Sequence, residues 1–528
     1  MRDFEHPGRS AVHATHGMAA TSHPLATGVA LDILKAGGNA LDAAIAASAA
    51  LAVVEPQSTG IGGDCFALIS LDGSDDIVGY NGSGRSPAAL DLAFFTSRGV
   101  TEIAANSVHA ATLPGAVEAW SRLHADHGRM RFRELMKPAV EYARHGYPVH
   151  ARVRYDWLRA RATLQGNAAS RAVYLPGGDV PAEGALHRQP ALADTLEAIG
   201  GGGAAAFYAG PIARSMAETL AAAGGLHTLD DFAAVAGDYV KPVSVDYRGH
   251  RVHQIPPNNQ GMTALLMLNL LEGFDLGSYA PLSVERTHLE IEAGRLAYAV
   301  RDAAIGDPAA MTASPEWLLS KEWAARLRRD IRLDRALPNL PDLALSKSDT
   351  VYLTVVDRDR MAVSFINSVY YSFGCGILCA DTGVMFQNRG RSFRIDPDHP
   401  NRVGPSKRPM HTIMPGMVTR DGAAMLSYGV MGGDYQPFGH ARLLTNVIDY
   451  GLDPQAALDM PRVFASGGEV EAERPFPDEV VRGLAALGHR VKPAAEPLGG
   501  GQAIRIDRSS GVLTGGSDPR KDGCALGY

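Results

Sequence analysis

The pattern of apolar and polar positions predicts a β-hairpin in the second half of the chain. Val351 to Val356 is dense in β-branched and aromatic residues, which is typical of a buried strand. The polar residues 357–360 follow as a turn, and Met361 to Ile366 has the pattern of a second strand. Another strand pair is predicted within residues 65–80, on either side of Asp72-Gly73.

Helical patterns dominate the first half of the chain. Residues 21–66 contain two of them, separated by Gly37-Gly38. The second, Ala40 to Val54, is Ala-rich, is too short for a membrane span and carries Asp42, so it is predicted to be a core helix. Further helices are predicted at 288–302 and from residue 438 to about 450.

Two glycine-rich stretches interrupt these patterns. The loop with Gly60, Gly62 and Gly63 lacks the residues of a phosphate-binding motif, which favours glycines needed for close packing. Gly200 to Gly203 is predicted to be a flexible surface loop.

Composition describes a globular protein with no indication of a nucleic-acid partner. The 528 residues are 46% hydrophobic and 20% charged, and the formal net charge is −7. An anionic chain has no general attraction for nucleic acid or for an anionic membrane, so attraction for an anionic ligand must be local. The N-terminus lacks the basic and apolar regions of a secretory signal, which predicts a cytoplasmic protein.

The four cysteines are too few for a disulfide framework. Cys375 and Cys379 could form one half of a metal site, but no second pair with ligand spacing accompanies them. Buried thiols and no metal are therefore expected.

Thr350, at the edge of the predicted hairpin, is a candidate nucleophile. If the chain were cut before this residue, the freed α-amine would lie beside its hydroxyl and could act as its base. A threonine that begins a strand is usually only a strand residue, so residue type alone does not decide between these alternatives.

The surroundings of Thr350 resemble the γ-glutamyltranspeptidase family of self-cleaving N-terminal-nucleophile hydrolases. Thr350 precedes Val355-Val356-Asp357 at the family's distance, and the helix, GGNA turn and Ala-rich helix of residues 21–66 match its N-terminal signature. Residues 112–149 and 207–257 follow in the family's order, so the similarity covers nearly the whole chain. The resemblance implies an α+β fold, a four-layer αββα sandwich.

The family also implies self-cleavage between Asp349 and Thr350. This would give a large piece, residues 1–349, and a small piece, residues 350–528, which associate in one αββα unit. The resemblance leaves open whether two such pairs form a dimer of heterodimers.

The resemblance assigns roles to several residues around the nucleophile. The backbone N–H groups of Gly432 and Gly433 would hold the oxyanion, although a Gly pair after a strand is otherwise a turn. Thr354 and Ser368 match hydroxyl positions that position the nucleophile, with ordinary strand residues as the alternative. No metal or organic cofactor is implied.

The predicted substrate pocket differs from that of the transpeptidases. Where those enzymes have N-N-Q-M-D-D-F, this chain has residues 387–393, in which Arg389 replaces Gln and Arg391 and Ser392 replace two acids. The pocket has therefore lost the acid that binds the substrate ammonium group and gained guanidinium groups, which suit carboxylates. The alternative is that both arginines are solvated loop charges.

Further positions in the pocket also depart from the family. His411 and Thr412 replace two carboxylate-binding serines, and Tyr370 replaces a substrate-contacting Asn. The family's carboxylate-binding Arg is here Ser83. Arg85, two residues later, either substitutes for that arginine or caps a turn.

These features predict a self-processing amidohydrolase that acts on a small anionic amide. Within the family, the chain most resembles the oxamate amidohydrolase branch, which is associated with purine breakdown. Oxamate would give oxalate and ammonia. Three alternatives stay open: an acylase that removes dicarboxylic side chains, a glutathione hydrolase or γ-glutamyltransferase, and an uncleaved family member that only binds a metabolite or partner.

Overall fold

The computed structural model describes residue 5 and residues 8–338, 340 and 350–528. Its α-helices are α1 Pro24–Lys35, α2 Ala40–Val54, α3 Leu92–Thr96, α4 Ala116–His127, α5 Phe132–His145, α6 Ala151–Arg159, α7 Arg161–Gln165, α8 Ala168–Tyr174, α9 Pro190–Tyr208, α10 Gly210–Ala222, α11 Leu229–Ala233, α12 Gly261–Leu271, α13 Val284–Ala304, α14 Pro315–Leu318, α15 Lys321–Arg328, α16 Gln436–Ile448, α17 Pro454–Asp459 and α18 Asp478–Ala486.

The strands are β1 Val12–Ala14, β2 Met18–Thr21, β3 Asp64–Ser70, β4 Ile77–Gly82, β5 Tyr147–Pro148, β6 Leu186–His187, β7 Asp238–Val240, β8 Val243–Tyr247, β9 His250–Gln254, β10 Val351–Val356, β11 Ala362–Ser368, β12 Leu378–Cys379, β13 Val384–Met385, β14 Gly416–Arg420, β15 Ala423–Met431, β16 Val463–Ser466, β17 Glu469–Ala472, β18 Val491–Pro493, β19 Gly500–Ile506, β20 Leu513–Ser517 and β21 Cys524–Gly527.

Two seven-stranded sheets form the centre of the described structure. The first has the strand order β21-β2-β10-β11-β3-β4-β7, and the second has the order β1-β20-β19-β15-β14-β9-β8. Each of these two sheets contains strands from before and from after residue 350, so neither sheet is formed by one part of the chain alone. All pairings within these two sheets are antiparallel.

The predicted hairpin at residues 351–366 is confirmed. β10 and β11 pair from Val351 opposite Asn367 to Val356 opposite Ala362. The strand pair predicted around Asp72-Gly73 is also confirmed, as β3 and β4. In both cases the β-branched and aromatic residues supply the side chains that are buried on both faces of the sheet.

Helices cover the outer face of each sheet, which confirms the four-layer αββα sandwich. One core lies between the first sheet and a helical layer that includes α1, α2, α4, α5 and α9. A second core lies between the other sheet and α12, α13 and α16. A third fills the space between the sheets, where Tyr352, Phe66 and Met417 meet. Successive side chains of β10 alternate between the two cores, because Leu353 faces the helices while Tyr352 faces the other sheet.

Helix α2 is the core helix predicted from the Ala-rich pattern. All fifteen of its residues are buried, and its small side chains let neighbouring helices and strands approach closely. The buried carboxylate of Asp42 accepts hydrogen bonds from the backbone N–H groups of Asn39, Arg129 and Met130, which compensates for its burial. Among the described residues, no helix combines the length and apolar character that crossing a membrane requires.

The prediction of a flexible surface loop at Gly200 to Gly203 is wrong. These residues lie inside α9, which departs from helical geometry at Gly203 with φ 59°. Gly200 is buried against α5, where an added Cβ would lie 3.3 Å from the Cβ of Met136. Packing on α5 therefore stabilises a helix that glycine's low propensity does not favour.

The glycines of residues 60–63 permit the close packing that the sequence favoured. A Cβ at Gly62 would lie 2.0 Å from the carbonyl oxygen of Met385, and one at Gly63 would lie 2.2 Å from that of Ser368. Only glycine allows the loop to approach the end of β11 this closely.

Candidate active site

Thr350 lies immediately before β10, at the edge of the first sheet, and is fully buried. Its Oγ1 donates a hydrogen bond to the Oγ of Ser368, the last residue of β11, at 3.3 Å. The same Ser368 oxygen accepts a hydrogen bond from the backbone N–H of Tyr370 at 2.9 Å. The structure therefore brings Thr350, Ser368 and Tyr370 together. The predicted cleavage partner, Asp349, lies outside the described residues.

Gly432 and Gly433 follow β15 in the facing sheet, and the contacts between sheets bring them level with Thr350. Thr354 contacts Ser427, and the Tyr352 ring packs against Gly429. Thr350, just before β10, is the next residue on that face, and continuing the same two-residue step predicts that it lies opposite Met431, the last residue of β15. The glycine pair follows directly at this edge.

The backbone of the glycine pair is left-handed, with φ 117° at Gly432 and 60° at Gly433. A Cβ at Gly432 would also lie 2.9 Å from the Cα of Gly499, so both conformation and space require glycine there. A 3-10 turn, Gly433–Tyr435, leads into α16. Backbone N–H groups at a helix start have no intrahelical acceptor and carry partial positive charge, which suits them to a developing oxyanion.

Thr354 is not brought to the nucleophile. It lies four residues along the strand, about 13 Å from Thr350 at the usual rise. Its Oγ1 donates to the Oγ of Ser427 in the facing sheet at 2.6 Å. This geometry makes Thr354 part of the junction between the sheets, so any role in positioning Thr350 would be indirect.

Arg389 is a fully buried guanidinium group in this region. Its Nη1 donates to the Oγ1 of Thr412 at 2.8 Å, and its Cζ lies 3.7 Å from the ring centroid of Tyr370. Its Nε and Nη2 are buried and have no hydrogen-bond partner among the described residues. These two atoms form one edge of the guanidinium fork, the edge that binds a carboxylate through two parallel hydrogen bonds.

The charge on Arg389 persists at neutral pH. Burial lowers its pKa to about 10, against the opposing influence of Tyr370 and Asp64. A buried cation with two unpaired donors is energetically costly unless a ligand satisfies it. The arrangement is therefore a preformed site for an anion.

Tyr370 connects this anion site to the nucleophile. Its backbone N–H binds Ser368, and its ring stacks on Arg389. It adopts φ 78°, a conformation uncommon for a tyrosine and often found at functional sites. Thr350 and Arg389 are thus joined through Ser368 and Tyr370, two residues apart in the chain.

His411 lies against the anion site as a neutral imidazole. Its Nε2 donates to the carboxylate of Asp64 at 3.0 Å, and its Nδ1 accepts from the N–H of Ile413 at 3.4 Å. Burial, with a contribution from Arg389, lowers the pKa of His411 to about 3 although Asp64 opposes the shift. Both ring nitrogens are engaged with protein atoms, so His411 supports the site through Asp64.

The remaining predicted residues lie further out. Arg391 is partly exposed, pairs with Glu102 and lines a cavity of about 370 Å³ together with Tyr370 and Tyr371. Arg85 donates to the carbonyl oxygen of Ser406 at 3.1 Å. Of the two interpretations of Arg85, the structure favours the one in which it ties a loop.

A second cavity, of about 270 Å³, adjoins the glycine pair. Gly432, Tyr371 and Ser372 line it, together with the cationic residues Arg152, Arg159 and Lys521 and the acids Asp156 and Glu496. Tyr371 lines both cavities, so it lies between them.

Sequence inspection missed Asp64 and Gln387 as members of this site. Oδ1 of Asp64 accepts hydrogen bonds from the N–H of Gly84 at 2.8 Å and from Nε2 of Gln387 at 2.9 Å. The sequence signal for Asp64 is an acidic residue at the start of an otherwise apolar strand, directly after the glycine loop. Nothing local in the sequence links it to His411, which lies 347 residues away.

Residues 26–528 match the γ-glutamyltranspeptidase family. The chain belongs to this family. It is 38% identical over 526 residues to the glutathione hydrolase-like YwrD proenzyme of Bacillus subtilis, covering 98% of this chain and 99% of that protein. It is 34% identical over 530 residues to the oxamate amidohydrolase proenzyme of Klebsiella pneumoniae, covering 98% of this chain and 99% of that protein.

A solved structure extends this similarity to three dimensions. The cephalosporin acylase from Bacillus halodurans superposes with a TM-score of 0.92 at 38% identity, covering 100% of this chain and 99% of that one. This chain is therefore similar in sequence to a glutathione hydrolase-like protein and an oxamate amidohydrolase, and similar in fold to a cephalosporin acylase.

Proposed function

We propose that this family member is a self-processing N-terminal-threonine amidohydrolase that acts on a small amide bearing a carboxylate, with oxamate as its substrate. The observation that carries the proposal is the buried edge of Arg389, whose Nε and Nη2 lack a partner among the described residues. Oxamate consists of a carboxylate joined directly to a carboxamide, so binding of the former brings the latter toward Thr350.

Processing would begin when the hydroxyl of Thr350 attacks the carbonyl carbon of Asp349. The peptide C–N bond would break as an ester forms, and water would hydrolyse that ester. This step leaves residues 1–349 with a new carboxylate and gives Thr350 a free α-amine. Cleavage rests on the resemblance to self-processing relatives and on the position of Thr350 at the sheet edge.

In the mature site, Thr350 Oγ1 would attack the amide carbon and pass its proton to the α-amine. The N–H groups of Gly432 and Gly433 would hold the oxyanion, because they are fixed at the start of a helical segment before the charge develops. The α-amine would return the proton as ammonia leaves. Water would then hydrolyse the threonine ester to release oxalate.

The surroundings of Arg389 support a simple anion over a zwitterionic γ-glutamyl group. The nearby carboxylate of Asp64 is already bound by the N–H groups of Gly84 and Gly115 and by the side chains of Gln387 and His411. It is therefore poorly placed to accept a substrate ammonium group. Arg391 and Ser392 occupy positions at which the transpeptidase pattern has acids.

A dicarboxylic-acid acylase is the second candidate. The cavity of about 370 Å³ beside Tyr370 exceeds what oxamate needs, and Arg391 and Arg394 line it. A longer dicarboxylic side chain could occupy this space, with its distant carboxylate near these arginines.

Two measurements on purified full-length protein test the proposal. Intact mass followed during storage should reveal two pieces, the smaller beginning at Thr350, whereas Thr350→Ala protein should remain one chain. The kcat/KM for oxamate, measured by ammonia release, should then be the highest of three. The other two are those for γ-glutamyl-p-nitroanilide, measured by p-nitroaniline release, and for glutaramate, measured by ammonia release. Faster turnover of glutaramate would favour the acylase, and an intact chain that binds oxamate without turnover would favour a binding protein.

A further inference from the structure

A second cluster of chemically capable side chains lies outside the candidate active site. His288 and Glu292 are four residues apart on α13, so they share one face of the helix. His489 follows α18 and packs against them. All three side chains are buried. One ligand atom from each, His288 Nδ1, His489 Nε2 and a Glu292 carboxylate oxygen, lies within 4.8 Å of the other two.

The hydrogen bonds of His288 fix its tautomer. Its Nε2 lies 2.6 Å from the carbonyl oxygen of Arg332, which can only accept, so Nε2 carries the proton. In a neutral ring the lone pair is then on Nδ1, which faces Nε2 of His489 at 2.8 Å. A histidine whose far nitrogen donates to a backbone carbonyl has the orientation found in metal-binding histidines.

Glu292 is held in a comparable way. Its Oε2 accepts from the backbone N–H of Leu337 at 2.8 Å. Its Oε1 lies 3.8 Å from Nε2 of His489 and accepts from Nη1 of Arg295 at 2.9 Å. Arg295 also donates to the carbonyl oxygen of Leu337 at 3.0 Å, a bond it can keep if Oε1 takes another partner.

We propose that His288, Glu292 and His489 form a structural Zn²⁺ site. Two imidazoles and one carboxylate, with water as the fourth ligand, form a zinc donor set known from catalytic centres. Here all three side chains are buried, so we assign the ion a structural role. Tetrahedral zinc with bonds of about 2.0–2.1 Å sets its ligand atoms about 3.3 Å apart. The 2.8 Å and 3.8 Å separations each need to change by about 0.5 Å. His489 would move its proton from Nε2 to Nδ1, so binding releases no proton.

The position of the site indicates what the ion would do. His288 and Glu292 precede residue 350 and His489 follows it, so the ion would join the two parts of the chain. The same side chains bind the backbone at Arg332 and Leu337, in the stretch that leads toward residue 350. The ion would therefore stabilise the contact between His489 and the earlier part of the chain, whether or not the chain is cleaved. It would take no part in the chemistry at Thr350.

Metal titration of chelator-treated full-length protein tests the proposal. Cobalt(II) should bind at one equivalent per chain and give the intense visible absorption of a tetrahedral site, and Zn²⁺ should displace it and raise Tm. Absence of one-equivalent Co²⁺ binding in the wild-type protein would overturn the proposal and would mean that the two histidines are only a neutral hydrogen-bonded pair.

Variants locate the bound ion. Glu292→Gln keeps an acceptor for Leu337, and His489→Asn keeps a side chain that can hydrogen bond to His288. Each should weaken Co²⁺ binding at least tenfold and abolish the Zn²⁺-dependent rise in Tm. His440→Asn is the control, because His440 is also a buried histidine bonded at both ring nitrogens. It should lower Tm but retain the response to Zn²⁺. Unchanged Co²⁺ affinity in both cluster variants would contradict the assignment.

Discussion

The proposed function depends most on Arg389, whose energetics follow from its burial. A guanidinium removed from water needs a hydrogen-bond acceptor for each donor, yet only Nη1 has one within the described structure. The Tyr370 ring compensates on one face through a cation–π contact. In the proposed function, the unpaired edge would supply the binding energy for a carboxylate, because the folded protein has already borne the desolvation of the cation.

Replacing Arg389 by Lys should lower kcat/KM for oxamate by at least about 30-fold, since a buried charged hydrogen-bonded pair is worth about 2–5 kcal/mol. Lysine retains the charge but cannot present two parallel donors. The measurement is steady-state ammonia release at neutral pH.

Arg391→Lys is the matched control for this prediction. Arg391 is partly exposed and paired with Glu102, so its replacement should change kcat/KM less than about threefold. Equal losses in the two variants would show that Arg389 is not the carboxylate-binding residue.

At the same scale, sequence alone could identify Arg389, Tyr370 and Thr412 as pocket residues, because each departs from a family motif of known position. It could not identify their supports. Asp64 has neighbours from four distant segments, and its role appears only when the sheet edge assembles them. Nor does residue type reveal that Arg391 turns outward to Glu102 while Arg389, two positions earlier, is buried.

At the scale of elements, strand periodicity decides which hydroxyl groups reach the nucleophile. Sequence patterning correctly predicted β10 and β11, and the register of the pair sets Ser368 beside Thr350. Thr354 shares the face of Thr350 but is four residues away along the strand, where it meets Ser427. The motif match assigns Thr354 a positioning role, but at this distance its side chain does not contact Thr350 directly.

This difference predicts unequal effects of two substitutions. Thr354→Val should destabilise the protein by about 1–3 kcal/mol, because it leaves Ser427 without its buried partner, while kcat per cleaved molecule stays within twofold. Ser368→Ala removes the acceptor of the Thr350 hydroxyl and should slow both cleavage and turnover by about tenfold or more. Urea unfolding and active-site-normalised kinetics separate the two. A loss of kcat in Thr354→Val as large as in Ser368→Ala would restore the positioning role.

The turn after β15 gives a second prediction at this scale. Gly432→Ala introduces a side chain at φ 117° and against Gly499, so the backbone must move and displace the N–H groups proposed for the oxyanion. Loss of one such donor lowers kcat by roughly 10²–10³-fold. We expect a decrease of this size in oxamate turnover.

Gly422→Ala is the control for conformational strain. Gly422 has φ 77° in the turn between β14 and β15, and no atom lies within 4 Å of an added Cβ. The free energy of unfolding of this variant should fall by the amount expected from backbone strain at one residue, while kcat stays unchanged. If it lost as much activity as Gly432→Ala, strain alone would explain the effect.

At the scale of the whole molecule, the sheet order makes the two proposed pieces inseparable in the native state. In the first sheet β2 pairs with β10 and β21, and β3 pairs with β11, so each of these pairings joins the part before residue 350 to the part after it. In the second sheet β1 pairs with β20 and β9 with β14 across the same division. The shared αββα unit was expected from the family resemblance, and nothing in the composition of the chain indicates it.

Cleavage should therefore leave the pieces bound without any covalent link. Diluted to nanomolar concentration, the matured protein should elute in one peak with both pieces at equal amounts, at the elution volume of uncut Thr350→Ala protein. Separation would break five strand pairings and expose both cores, so we expect it only together with global unfolding in denaturant. Release of the small piece on dilution, or unfolding of one piece before the other, would contradict this prediction. The molar mass of the same peak would decide whether two such pairs associate into a dimer of heterodimers.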